Sequence, residues 1–142
     1  MNNQYKTLIR IPSIQEYKNI CTAVGWKDFM NFEVAEESLN KSLFGVVIQY
    51  EDEIVGMGRV IGDGYIYFYI QDIAVIPAHQ NKGIGKLIMT TVTEFLKVNA
   101  PEKSFIGMFA SHGKESFYKK YGFNEHEGMT GIFAVLNKGE IK

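Results

Sequence analysis

The sequence predicts an α/β fold of the α+β kind, in which helices cover both faces of a mixed, mainly antiparallel sheet with a central βαβ unit. Three strand-like segments follow one another over residues 43–75 with only short turns between them, which predicts an antiparallel meander. The apolar pattern then takes a helical period and returns to a short strand, which predicts the βαβ unit over residues 67–110. A chain of 142 residues, 46% of them hydrophobic, can bury one core, so we expect a single domain over residues 1–142.

The segment before the meander predicts one strand and two helices. Residues 5–11 are strand-like and are stopped by Pro12. Ser13 followed by Glu16 is a capping box, and apolar residues then recur at helical spacing up to Gly25, where we expect the first helix to end. An aromatic loop follows, and residues 33–42 predict a second, weaker helix with acidic residues in its first turn.

The segment after the meander predicts two more helices and two more strands. An apolar stripe that begins at Ile84 predicts an amphipathic helix of about fourteen residues. Residues 104–110 then predict a short strand, and residues 113–122 predict a short helix closed by a glycine. The apolar run at 129–136 predicts the last strand.

Composition excludes several classes of partner and site. The 15 Lys and Arg residues nearly balance the 16 Asp and Glu residues, so no global field favours nucleic acid or an anionic membrane. Cys21 is the single cysteine and excludes an intrachain disulfide, and the three histidines lack the spacing of metal ligands. The sequence has neither a signal-peptide core nor an apolar run long enough to span a membrane. We therefore expect a cytoplasmic protein without a metal, and without nucleic-acid or membrane partners.

Two glycines, Gly83 and Gly85, lie where a turn becomes a helix. The first N–H groups of a helix have no partner within it and the helix dipole is positive there, so absent side chains let a phosphate approach the backbone. A Walker loop would need glycine at Gln80 and Ser or Thr at Leu87, and a dinucleotide fingerprint would need Gly or Ala at Ile88. The sequence therefore predicts a phosphate or pyrophosphate site of another kind.

The remaining pattern, Gln80-x-x-Gly83-x-Gly85, resembles motif A of the GNAT superfamily of acetyl-CoA-dependent N-acetyltransferases. The likeness extends over "IQDIAVIPAHQNKGIGKLIM" and reappears in "ESFYKKYGF", which resembles the end of the family's C-terminal helix. With the element order it covers roughly residues 44–137. The resemblance implies that the βαβ unit binds acyl-CoA, that acetyl-CoA is the co-substrate, and that an acetyl group passes to a primary amine by direct attack through a tetrahedral intermediate.

The resemblance also implies a role for particular residues. Tyr118 falls on the family's general acid, and the main chain at Ile73, Ala74 and Val75 would face the thioester and the pantetheine arm. Ser111 stands where the family often has Asn. The pyrophosphate would be bound by the backbone N–H groups of Gln80, Asn81, Lys82, Gly83, Ile84, Gly85 and Lys86.

The acceptor must lose a proton before it can attack. An alkylammonium of pKa ~10.4 is neutral to about one part in 2,500 at pH 7, a penalty of roughly 4.6 kcal/mol. Asp72, or Tyr69 and Asp72 through ordered water, are the nearest candidates, and the relay is favoured because Gln71 beside them cannot accept a proton. Asp72 could equally form a structural salt bridge, because a carboxylate in an apolar strand is costly unless it is paired.

The sequence leaves three functions open, two of which differ in the acceptor. An aromatic loop followed by acidic residues favours a small aryl- or alkylamine as the acceptor. A protein N-terminus or lysine is an alternative acceptor. A further alternative is a non-catalytic acyl-CoA sensor, but the presence of Tyr118 argues against it. A homodimer is also compatible with the sequence. The acidic residues are Asp28, Glu33, Glu36 and Glu37.

Overall fold

The computed structural model describes residues 4–142, which separate into two compact units, one ending at Met108 and the other Phe109–Lys142. The predicted single domain over 1–142 stays a prediction. The first unit contains β1 (Tyr5–Leu8), α1 (Ile14–Ala23), α2 (Ala35–Asn40), β2 (Phe44–Tyr50), β3 (Glu53–Gly62), β4 (Tyr67–Val75), α3 (Ile84–Asn99) and β5 (Phe105–Gly107). The second contains α4 (Glu115–Lys119), β6 (Leu136–Asn137) and β7 (Glu140–Ile141).

The five strands of the first unit form one mixed sheet in the order β1-β2-β3-β4-β5. Each neighbouring pair from β1 to β4 is antiparallel, and β5 lies parallel to β4. Because α3 connects β4 to β5, these three elements form a βαβ crossover. The predicted meander and βαβ unit are both confirmed.

Helices cover both faces of this sheet. On one face, Tyr17 and Ile20 of α1 and Leu39 of α2 are buried with Val47 and Met57 of the sheet. On the other face α3 lies across β2, β3 and β4. A Cβ built at Gly58 would stand only 2.6 Å from Ile88, so glycine lets α3 approach the sheet closely.

Local signals set the limits of two helices. The Ser13 side chain accepts a hydrogen bond from the Glu16 backbone N–H at 3.1 Å, and the Glu16 side chain accepts one from the Ser13 backbone N–H at 2.8 Å, so the predicted capping box is present. The second helix is shorter than predicted, because residues 32–34 form a 3-10 turn and α2 begins at Ala35. Within residues 4–142 no helix combines the length and apolar character needed to span a bilayer.

A bulge interrupts β4 near its middle. Met57 pairs with Ala74 and Arg59 with Gln71, so β4 advances three residues where β3 advances two. Asp72 lies within the extra length and has a left-handed backbone, with φ of 58°. A residue other than glycine rarely adopts this conformation, so the bulge is a specific feature of this strand.

The predicted last strand over residues 129–136 is wrong. Residues 130–135 lie outside any strand, and the side chain of Ile132 is 85% exposed. Instead β6 and β7 form a small hairpin, and Lys138 and Gly139 between them both have positive φ. This backbone is typical of a two-residue hairpin turn. The apolar run at 129–136 does not predict a turn at these two positions.

Candidate active site

The loop between β4 and α3 is held by its own polar contacts. The Gln80 side chain donates a hydrogen bond of 2.9 Å to the Val75 carbonyl, so the loop is tied to the end of β4. Nδ1 of His79 lies 2.7 Å from the Tyr5 hydroxyl, which ties it to β1 as well. Asn81 has φ of 63°, so a left-handed residue reverses the chain before the helix.

The start of α3 presents backbone donors to open space. Gly83 is the N-cap with φ of 84°, and the Leu87 N–H makes the first helical hydrogen bond, to the Gly83 carbonyl at 3.1 Å. The N–H groups of Ile84, Gly85 and Lys86 therefore have no partner within the helix, and no side chain caps them. A Cβ at Gly83 would meet no atom within 4 Å. The geometry fits a phosphate group held by backbone N–H groups.

One edge of β4 is left without a neighbouring strand beyond the bulge. Pairing of β4 with β5 stops at Tyr69 and Gly107, whereas β4 continues to Val75 and still pairs there with β3. Among residues 4–142, no strand pairs with that edge between Ile73 and Val75. Main-chain groups on this edge can therefore bind an extended ligand lying between the separating strands.

The Asp72 side chain points into the core on the α1 face. It is 7% exposed, and its Oδ2 accepts hydrogen bonds from Arg59 Nε at 2.7 Å and from the Tyr17 hydroxyl at 2.9 Å. Burial first, and then the Asp72 charge, raise the pKa of Tyr17, so this phenol keeps the proton that it donates. Burial also raises the pKa of Cys21 to about 11. The salt-bridge alternative for Asp72 is present, and its role as a base stays a prediction.

Comparison with known proteins identifies the family. The family model of the Acetyltransferase (GNAT) domain matches residues 14–134. The chain belongs to the GNAT family. It is therefore an acetyltransferase, and the family's co-substrate is acetyl-CoA.

Several relatives resemble this GNAT enzyme over most of its length. The uncharacterized N-acetyltransferase ycf52 of Pyropia yezoensis is 30% identical over 125 residues, which cover 85% of this chain and 71% of the relative. A ycf52-like uncharacterized N-acetyltransferase of Prochlorococcus marinus is 30% identical over 96% of this chain and 78% of its own. These relatives agree in being N-acetyltransferases.

Solved structures show the same fold. A protein of unknown function and probable acetyltransferase from meticillin-resistant Staphylococcus aureus aligns with a TM-score of 0.84 and 32% identity, covering 92% of this chain and 98% of its own. A GNAT family protein of Streptococcus pneumoniae aligns with a TM-score of 0.76 and 25% identity over 94% and 98% of the two chains. The predicted GNAT-like fold is confirmed.

The predicted residues of the GNAT site fall into separate groups. The segment Ile73–Val75 is the end of β4, and residues 80–86 form the end of the loop and the start of α3, while their role in binding acetyl-CoA stays a prediction. Tyr69 lies at the last β4–β5 pair, and burial raises its pKa. Tyr118 lies in α4 of the second unit beside Phe117, with ring centroids 5.0 Å apart, and burial raises the pKa of its phenol. The roles of Tyr69 and Tyr118 stay predictions.

Sequence reasoning missed Arg59 and Tyr17, the two partners of Asp72. Arg59 stands in an apolar strand, and the argument that made Asp72 conspicuous applies equally to it. Tyr17 has no such signal, because it sits at an apolar position of α1 and is 55 residues from Asp72 in sequence. Among residues 4–142, no cluster of three or more His, Cys, Asp or Glu side chains is suited to hold a metal ion.

Proposed function

We propose that this GNAT enzyme transfers the acetyl group of acetyl-CoA to the primary amine of a small aryl- or alkylamine. The observation that carries the proposal is the β4–α3 junction, where unpartnered N–H groups at Ile84, Gly85 and Lys86 adjoin the free edge of β4. When bound, acetyl-CoA supplies an activated acetyl thioester. The protein has to bind and orient this thioester and to transfer two protons.

Binding and orientation are assigned to the main chain. Backbone N–H groups over residues 81–86 hold the diphosphate, and the side chains of Lys82 and Lys86 are exposed beside them to add positive charge. The predicted contribution of the Gln80 N–H is not supported, because this group already donates to the Pro77 carbonyl at 3.2 Å. The free edge at Ile73–Val75 binds the pantetheine arm. The Ile73 N–H polarises the thioester carbonyl, because a donor aimed at developing negative charge stabilises the transition state.

Two protons move during the reaction. The amine loses one to ordered water held near the Tyr69 hydroxyl. We prefer this route to direct proton transfer to Asp72, because Oδ2 of Asp72 already accepts two hydrogen bonds. After the attack, the nitrogen gives up its second proton and so restores Tyr118, which has donated its own proton to the departing thiolate as the C–S bond breaks. Burial raises the pKa of Tyr118, so the phenol is protonated at neutral pH.

The proposed acceptor rests on charge and aromatic content around the segment between α1 and α2. Asp28 and Glu33 lie exposed in this segment, and Phe29 is 82% exposed. Phe32 packs edge-on against Tyr17, with ring centroids 6.5 Å apart, and so connects the segment to the residue that donates a hydrogen bond to Asp72. Carboxylates favour a cationic amine, and exposed aromatic surface favours an acceptor with an apolar part.

An acceptor screen tests this function. The protein is mixed with acetyl-CoA and, one at a time, alkylamines, arylalkylamines, a lysine-containing peptide and a peptide with a free N-terminus, and the release of free thiol is followed. We expect at least one small amine to raise the rate tenfold or more above the rate without acceptor, and above both peptides. Acceleration by the peptides alone would overturn the proposed acceptor, and no acceleration by any amine would overturn the proposed transfer.

A further inference from the structure

A buried polar network joins the β4 bulge to both helices on one face of the sheet. Beyond its bond to Asp72, Arg59 donates through Nη1 to the Ser38 carbonyl at 3.2 Å and to the Ser42 hydroxyl at 3.1 Å. Its Nη2 donates to the Ser38 hydroxyl at 3.2 Å. These serines flank the end of α2, while Tyr17 reaches Asp72 from α1. One guanidinium and one carboxylate thus connect α1, α2, β3 and β4.

The network is centred on a residue with a left-handed backbone, Asp72. Among residues other than glycine, Asp and Asn adopt this conformation most readily, but it is still uncommon and persists where the surroundings hold it. The surroundings hold it here through the carboxylate, because Arg59 and Tyr17 both bind its Oδ2. A buried ion pair is a weak source of net stability compared with apolar packing. The presence of the buried Arg59–Asp72 pair is therefore better explained by its effect on conformation, because it selects the left-handed backbone at Asp72.

The conformation at Asp72 sets the direction of the next residue, Ile73. Ile73 lies on the stretch of β4 that β5 does not pair. Its side chain turns to the α3 face, where its Cδ1 lies 2.7 Å from a Cβ built on Gly58, while the Asp72 side chain turns to the α1 face. The direction of the Ile73 main chain is thus fixed by a side chain on each face of the sheet.

We propose that Arg59 and Asp72 are positioning residues for acetyl transfer, which hold the β4 bulge so that the Ile73 main chain meets the thioester and which fix α1 and α2 beside it. This proposal rests on the proposed function. Neither side chain has to touch the reacting atoms. The network acts through backbone geometry, and a small displacement of a polarising N–H group is enough to slow the reaction.

Three variants test this role. Asp72→Asn removes the charge but keeps a residue that tolerates a left-handed backbone, Arg59→Gln removes the partner charge, and the third combines both. We expect each single variant to lower kcat tenfold or more with the best amine of the screen and to raise the KM of that amine. The Kd of acetyl-CoA, measured by calorimetry, should stay within threefold of wild type, because the diphosphate loop is separate from the network.

Two further readouts separate positioning from base catalysis. If the two residues act as one unit, the double variant is no slower than the slower single variant. The pH profile of kcat should keep its shape in Asp72→Asn, because no titrating base has been lost. Arg59→Lys should recover part of the activity that Arg59→Gln loses, since it restores the charge but not every hydrogen bond.

Matched controls account for simple destabilisation. Val92→Ala removes buried volume on the α3 face and lowers the melting temperature without touching the network. Arg10→Gln removes an arginine from a surface ion pair with Glu16 and should leave kcat unchanged. If the charge variants fail to fold, Tyr17→Phe keeps the ring and removes only the hydrogen bond to Asp72, and a threefold or greater fall in kcat is expected.

Four results would overturn the positioning role. In the first, the charge variants lose no more kcat than Val92→Ala does at equal folded fraction. If the charge variants do not fold, the same comparison is made with Tyr17→Phe. Another is an Asp72→Asn profile that loses its acid limb while Arg59→Gln stays near wild type, because that result identifies a base. The third is a double variant slower than either single one by the product of their effects. A wild-type protein that fails to bind acetyl-CoA would overturn this role and the proposed function together, whereas the other three results leave the proposed function standing.

Discussion

At the scale of single residues, Gly83 combines a left-handed backbone with a place in the proposed acetyl-CoA site. Its φ of 84° is strained for any residue with a Cβ, and the space beside it is the space assigned to the diphosphate. We expect Gly83→Ala to weaken acetyl-CoA binding tenfold or more, about 1.4 kcal/mol, as measured by calorimetry. Binding at wild-type strength would show that the ligand lies elsewhere.

Gly25→Ala is the matched control for that substitution. Gly25 has φ of 87° and also has open space around it, but it lies after α1 rather than at the loop. Both variants should lose about 1–2 kcal/mol of stability from the same backbone strain. Only Gly83→Ala should lose affinity, so an equal loss in both variants would attribute the effect to stability.

Tyr118 carries the second prediction at this scale. Tyr118→Phe keeps the ring packed beside Phe117 and removes only the hydroxyl, so we expect kcat to fall about a hundredfold with little change in acetyl-CoA affinity. Because burial raises the pKa of Tyr118, the wild-type enzyme should lose its acid only above the ordinary tyrosine range. The variant should lack that alkaline limb.

Tyr121→Phe is the control for the Tyr118 substitution. Tyr121 packs against the same Phe117 ring from one turn further along, with ring centroids 5.5 Å apart, and no role is assigned to its hydroxyl. Steady-state kinetics from about pH 7 to about pH 11, which extends above the ordinary tyrosine pKa of about 10, compare the two variants. The assignment of the acid is wrong if Tyr118→Phe keeps full kcat across that range.

A residue's position could be predicted where the local sequence carries a signal of its own. The position of Gly83 at the start of α3 could be predicted, because the glycine stands where a turn gives way to an apolar pattern of helical period. The proposed role of Arg59 could not be predicted, because it depends on the ion pair with Asp72. Asp72 lies 13 residues away, on the other side of a bulge. Nothing in the local sequence marks that bulge, since Asp72 rather than a glycine takes the left-handed backbone there.

At the scale of elements, the contribution of the α1 capping box to stability can be tested by changing the pH. The hydrogen bond from Arg10 lowers the pKa of Glu16, with help from the Ser13 backbone. A carboxylate whose folded pKa is depressed stabilises the fold above its ordinary value of 4.5 and loses that contribution as the pH falls through the folded value. The stabilisation by Glu16 should therefore be present at pH 7 and vanish in acid.

Glu16→Gln measures this contribution. We expect the variant to unfold at a lower denaturant concentration than wild type at pH 7, because the ion pair and the charged part of the capping box are lost. The difference should shrink as the pH falls below the ordinary value of 4.5 and through the lower folded pKa of Glu16, where the wild-type carboxylate itself becomes neutral. A difference that stays constant with pH would show that the carboxylate charge contributes nothing.

Elements with local start and stop signals were predictable, and the last strand was not. The capping box marked α1, and the change from strand to helical period marked α3. The apolar run at 129–136 had neither a neighbouring partner nor a turn signal in the expected place. Its end forms a hairpin through Lys138 and Gly139, which only positive φ angles reveal.

At the scale of the whole molecule, the sheet explains why the proposed acetyl-CoA site lies at the β4–α3 junction. The crossover that buries α3 against β2, β3 and β4 also places the start of the helix beside the end of β4. Glycines at 56 and 58 let the helix lie close, because a Cβ at either position would meet Ile84 or Ile88. The fold could be predicted from these patterns, whereas the acceptor depends on surfaces that leave no comparable signal.

The most direct test of the central claim is to map acetyl-CoA binding on the backbone amides of the wild-type protein by NMR. Hydrogen bonds to the diphosphate and the pantetheine arm should produce the largest shifts at Ile73–Val75 and at residues 80–86. Saturation should follow the Kd from calorimetry. Large shifts confined to other segments, or none at saturating acetyl-CoA, would show that acetyl-CoA does not bind at the β4–α3 junction.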